Sequence, residues 1–88
     1  MQILIVEDDP DSRILLESIL ISRDYDVLVA NDGLEAWNIA QSQVPDLIIS
    51  DILMPNIDGF ELCRKIKTDD RLKNIPIIIY SATYIESR

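Results

Sequence analysis

Eighty-eight residues allow one domain, and a chain of that size buries a little over roughly 60% of its unfolded surface, an adequate core with little margin. With 48% hydrophobic residues and a mean hydropathy of +0.11, the composition excludes a disordered chain. A net charge of -8, with only 8 Lys plus Arg, argues against direct nucleic-acid contact by this segment and favours a basic partner or a bound cation.

The single cysteine, Cys63, rules out an internal disulfide and fits a reducing compartment. Met1-Gln2 carries no basic segment, and Ile3-Leu4-Ile5-Val6 is too short for a signal peptide or a membrane span. The expected location is the cytoplasm.

Ile3 to Val6 is an apolar run without polar alternation, the pattern of a strand covered on both faces. Glu7, Asp8 and Asp9 follow at once. Pro10 suits the first turn of a helix with Asp9 as its N-cap, and the helix is expected to run to about Arg23, burying Ile14, Leu15, Ile19 and Leu20.

Tyr25 to Val29 reads as a second strand, placed near a sheet edge by its Asp26. Asn31-Asp32-Gly33 turns the chain into a second helix, Leu34 to about Ser42, whose apolar stripe is Ala36, Trp37 and Ala40 with Val44 continuing it. Trp37 is thus expected in the core and not as a ligand platform. Pro45-Asp46 ends this helix before a third strand, Leu47 to Ser50.

That strand delivers Asp51 to a surface edge, where Met54-Pro55-Asn56-Ile57-Asp58-Gly59 turns the chain. A third helix follows, about Gly59 to Thr68, with Leu62, Cys63 and Ile66 inward and basic residues in its last turns. Asp58 reads as its N-cap. Asp32 and Asp58 are each followed three residues later by Glu, which predicts two helix starts built alike. After a polar connection, Ile75 to Tyr80 is expected as a fourth strand, left through Ser81-Ala82-Thr83.

Strands alternating with helices predict a parallel sheet with right-handed crossovers, whose ligands gather beyond the carboxyl ends of the strands. Glu7, Asp8, Asp51 and Ser81 all lie at such ends. Three carboxylates converging there repel by roughly 4 kcal/mol per pair at 4 Å and an effective dielectric of 20, so they must protonate, splay apart or bind a cation. An oxygen-only donor set favours a hard ion, Mg²⁺ before Mn²⁺ or Ca²⁺. Beside such an ion Asp51 suits phosphoryl transfer as the nucleophile, and Ser81 either donates a hydrogen bond to a phosphate oxygen or simply ends its strand.

Ile3 through Pro10, Asp51 with Met54-Pro55 and Asp58-Gly59, and Pro76 through Ser81-Ala82 together resemble the receiver domain of two-component response regulators. The resemblance implies a flavodoxin-like doubly wound α/β fold, βαβαβαβ here, with strand order 2-1-3-4 and the fifth strand and last helices absent. It makes residues 1–88 one receiver domain, incomplete at its C-terminus. Asp51 is then the phospho-acceptor, supplied by a sensor histidine kinase or phosphotransfer protein. Asp8 binds Mg²⁺ directly, Glu7 through water, the Leu53 backbone carbonyl completes the protein ligands, and Ser81 is the switch hydroxyl. No residue matches the lysine and the aromatic that receivers carry on strand five.

An unpaired outer edge on strand four, with Ile77, Ile78, Ile79 and Tyr80, would invite a homodimer. Two readings compete with phosphorylation. One is a receiver-like interaction scaffold that is never phosphorylated. The other is a metal-dependent aspartyl-phosphate phosphatase of another α/β family, in which a second Asp usually stands where Leu53 is. A flavin or dinucleotide binder lacks its Gly-rich loop after the first strand.

Overall fold

A computed structural model describes residues 1–81. Its elements run β1 (Gln2–Val6), α1 (Pro10–Ser22), β2 (Asp26–Ala30), α2 (Gly33–Gln43), β3 (Leu47–Asp51), α3 (Gly59–Lys67) and β4 (Ile77–Tyr80). The strands form one parallel sheet in the expected order β2-β1-β3-β4. The strand exit at Ala82-Thr83 and any start of a fourth helix lie outside the described residues.

The three helix starts are local devices that work as the sequence indicates. The carboxylates of Asp9, Asp32 and Asp58 accept from the backbone N–H groups of Ser12, Glu35 and Glu61 at 2.8–2.9 Å. In α2 the return bond shifts by one residue, since Glu35 Oε1 accepts from the N–H of Asn31 at 2.6 Å, one position before the cap.

Leu4, Val6 and Ile48 face a core built with Ala36 and Ala40 of α2 and Leu62 and Ile66 of α3. Trp37 packs half-buried against this core, with Lys65 Nζ 5.5 Å from its ring centroid. The connection before β4 contributes more than its polarity suggests, because Leu72 is fully buried in the same core. β4 begins two residues later than expected: Ile75 packs into the core ahead of it, and Pro76 accepts from the Ile48 N–H at 3.1 Å.

Two expectations about helix faces are corrected. In α1 no residue is fully buried, and Ile14, Leu15 and Ile19 are 56%, 63% and 47% exposed. The helix packs on β1 and β2, and beside it an apolar cleft of about 250 Å³ stays open between Leu15, Leu16, Ile19, Ile49 and Tyr80. Among the described residues α1 is the one helix on that sheet face, whereas α2 and α3 pack on the other. Val44 likewise leaves the stripe of α2: it is the C-cap, in the left-handed region at φ 46°, and 42% exposed.

Candidate functional site

The register across the sheet assembles the site. Val6 pairs with Ser50, so the residue after each, Glu7 and Asp51, emerge side by side at the carboxyl edge. Asp51 pairs in turn with Tyr80, whose carbonyl accepts from the Ile52 N–H at 2.8 Å. Ser81 is the next residue and lies half-buried beyond the same edge.

Glu7, Asp8 and Asp51 each offer a carboxylate oxygen, and these atoms lie within 4.8 Å of one another. Their environments differ. Asp8 is exposed, whereas Glu7 is 1% and Asp51 6% exposed. Burial pushes both of the latter carboxyls above the ordinary carboxylate range, aided by the charges of Asp51 and Asp8 at Glu7 and by that of Asp8 at Asp51. For Asp51 the backbone N–H groups of Ile52 and Leu53 act in the opposite direction.

Glu7 is anchored and Asp51 is open. Glu7 Oε2 accepts from the Asp9 N–H at 3.0 Å, and Glu7 Oε1 accepts from the Tyr80 hydroxyl. Asp51 Oδ1 is buried with no hydrogen-bond partner. An orphaned buried carboxylate oxygen beside two other acids could be satisfied by a bound cation. The donor set, oxygen only, fits a hard divalent ion.

The loop after Asp51 is shaped by backbone packing. A Cβ on Gly59 would meet the Asp51 carbonyl oxygen at 2.6 Å, so Gly59 serves close approach, and its φ is not in the left-handed region. Asn56 takes the left-handed turn position at φ 71° and donates to Asp32 Oδ2 at 3.1 Å, tying this loop to the start of α2. Leu53, two residues past Asp51, turns its side chain to solvent at 60% exposure.

Tyr80 is the residue at this site that sequence reasoning missed. It reads as one more apolar strand residue, but its hydroxyl reaches a partner 73 positions away. Burial and then the bond to Glu7 hold the phenol well above its usual range, so it remains a donor.

Fold and site define an α/β module whose parallel sheet gathers an acidic, oxygen-only pocket at its carboxyl edge. Residues 3–87 match the family model for the response regulator receiver domain, and the chain belongs to that family. It is 40% identical over 81 residues to the response regulator PleD of Caulobacter vibrioides, covering 92% of this chain and 18% of PleD. It is 42% identical over 80 residues to Histidine kinase P4 of Formosa agariphila, covering 91% of this chain and 6% of that protein. The chain therefore spans a small part of the curated relatives it matches.

Solved structures agree in fold. The receiver domain of sensor histidine kinase PA1611 from Pseudomonas aeruginosa PAO1 superposes with a TM-score of 0.89 at 33% identity, over 97% of this chain and 70% of that one. That structure has a magnesium ion coordinated in its active site cleft. The N-terminal domain of a response regulator receiver protein from Methanoculleus marisnigri JR1 gives a TM-score of 0.88 at 32% identity, over 92% and 66% of the two chains.

Proposed function

We propose that this chain is a phospho-acceptor module. Asp51 takes a phosphoryl group from a phosphorylated histidine of a sensor histidine kinase or phosphotransfer protein. Glu7, Asp8, Asp51 and the Leu53 carbonyl would hold Mg²⁺. The observation that carries this reading is Asp51 Oδ1, buried and unpartnered, with the Glu7 and Asp8 carboxylates within 4.8 Å.

In the transfer a carboxylate oxygen of Asp51 attacks phosphorus as the P–N bond breaks, and the electron pair leaves on the imidazole nitrogen, which takes up a proton. Mg²⁺, when bound, neutralises charge on the phosphoryl oxygens. Burial deprives Asp51 of competing water, and the neighbouring acids make an uncompensated carboxylate costly. Ser81, at the same edge, is the hydroxyl that would donate to a phosphoryl oxygen. Phosphate stays on Asp51, so the module is stoichiometric and not a turnover enzyme. A cytoplasmic setting suits such a donor.

Incubation with acetyl phosphate and Mg²⁺ tests the reading. Intact mass should rise by one phosphoryl group, and chelation of the metal or Asp51→Asn should abolish the rise. Phosphorylation that persists in Asp51→Asn would sink the assignment, and no phosphorylation of the wild type would favour the interaction scaffold.

We also infer that β4 offers a pairing edge to a second copy. Ile78 there is 52% exposed, and no strand lies outside β4 among the described residues. Sedimentation equilibrium showing only monomer across concentration would remove this inference.

A further inference from the structure

We propose that Tyr80 is a positioning residue for the metal-binding carboxylates, its hydroxyl holding Glu7 in the orientation in which the acid cluster receives a divalent cation. The inference rests on the metal-site reading above and adds to it a residue on a third strand.

Three strand ends contribute. Glu7 follows β1, Asp51 ends β3 and Tyr80 ends β4, with β3 lying between the other two. β1 and β4 are two strand spacings apart, roughly 9.6 Å, so a short side chain on β4 cannot reach Glu7. Tyrosine spans the gap. Its ring lies along the sheet face beside Ile49 and α1, lining the apolar cleft, and its hydroxyl emerges at Glu7 Oε1.

With the Asp9 N–H on Oε2, both oxygens of Glu7 are held, although its side chain is 1% exposed and has no solvent to orient it. Asp51 keeps Oδ1 free. The result is a division of work between an anchored carboxylate that supplies fixed negative charge and an open one that supplies a ligand atom. Outer partners that orient ligating groups typically matter 10–100-fold in metal affinity. A free Glu7 would turn away from Asp51 to relieve repulsion, and the cluster would lose its preorganisation.

The experiment is calorimetric titration of Mg²⁺ into the wild type, Tyr80→Phe, Glu7→Gln and the double variant, with melting curves of each in chelator. Phenylalanine keeps the ring in the cleft and removes only the donor. The expected result is about tenfold weaker Mg²⁺ binding in Tyr80→Phe, with no further loss when the same change is made in Glu7→Gln, because no anion is left to position. A role confined to packing would leave affinity unmoved or give losses that add.

Wild-type affinity in Tyr80→Phe, or additive losses, overturns the role of Tyr80 while leaving the metal site standing. Should Tyr80→Phe fail to fold, Tyr80→Leu and Tyr80→Met, which fill the cleft without a donor, replace it under the same criterion. Absence of Mg²⁺ binding to the wild type, or equal binding by Asp51→Asn, overturns both inferences.

Discussion

Gly59 and Asp51 are in backbone contact: a Cβ on Gly59 would sit 2.6 Å from the Asp51 carbonyl oxygen, and the Gly59 N–H donates to the Ile52 carbonyl at 2.9 Å. The start of α3 is thereby clamped onto the strand end that carries the Asp51 carboxylate. Gly59→Ala would gain up to about 1 kcal/mol of helix propensity but cost about 1–3 kcal/mol in overpacking against backbone that cannot swing aside. Overpacking wins. The variant should melt several degrees lower and bind Mg²⁺ more weakly, read by calorimetry.

Asp51→Asn should raise stability in the absence of metal. It replaces a buried carboxylate that has an unpartnered oxygen and two acidic neighbours with a neutral side chain of the same shape. The expected gain is about 1–3 kcal/mol, seen as a higher melting temperature in chelator. With added Mg²⁺ the order should narrow or reverse, since only the wild type gains from the ion. Equal melting temperatures in chelator would refute the electrostatic account.

The acids also set a pH profile. Glu7 and Asp51 have raised values in the folded state, so the fold binds their protons more tightly than the unfolded chain does. Their contribution is full below the ordinary carboxylate values and is lost as pH rises through the raised ones. Asp9 runs the other way: hydrogen bonds from Ser12 lower its value, and its contribution is lost as pH falls through that lowered value. Metal-free melting temperature should therefore peak on the acid side of neutrality. In Asp51→Asn the decline toward neutral pH should be shallower, which separates the site from the general repulsion of a chain of charge -8.

Val44 caps α2 in the left-handed region at φ 46° and ψ 69° with a β-branched side chain. That conformation costs an L-residue roughly 1–2 kcal/mol, while glycine there gives back about 0.5–1 kcal/mol in unfolded-state entropy. Val44→Gly should thus stabilise the domain by roughly 0.5–1 kcal/mol. Chemical denaturation with an unchanged slope and a higher midpoint would show it. A lower midpoint would mean that the half-exposed valine packs more tightly than its surface suggests.

Much of this molecule is decided within a few residues of chain. The caps at Asp9, Asp32 and Asp58 each act on an N–H three residues ahead, so their pattern is visible in the sequence, as are the apolar strand runs and the Pro and Gly breaks. Parallel topology then puts Glu7, Asp8 and Asp51 at one sheet edge by a general rule of crossovers, and the acid pocket was legible for that reason.

Features that depend on what covers a surface were not legible. Ile14, Leu15 and Ile19 have a core-like pattern but remain exposed, because among the described residues α1 lies alone on its sheet face. Leu72 looks like part of a polar connection and is fully buried. Tyr80 has apolar neighbours in its strand, and only the stacking of β1, β3 and β4 shows that its hydroxyl meets Glu7. Local propensity and capping act over one helical turn and can be read along the chain. Burial, close backbone approach and the pairing of distant side chains arise only when the strands are laid side by side.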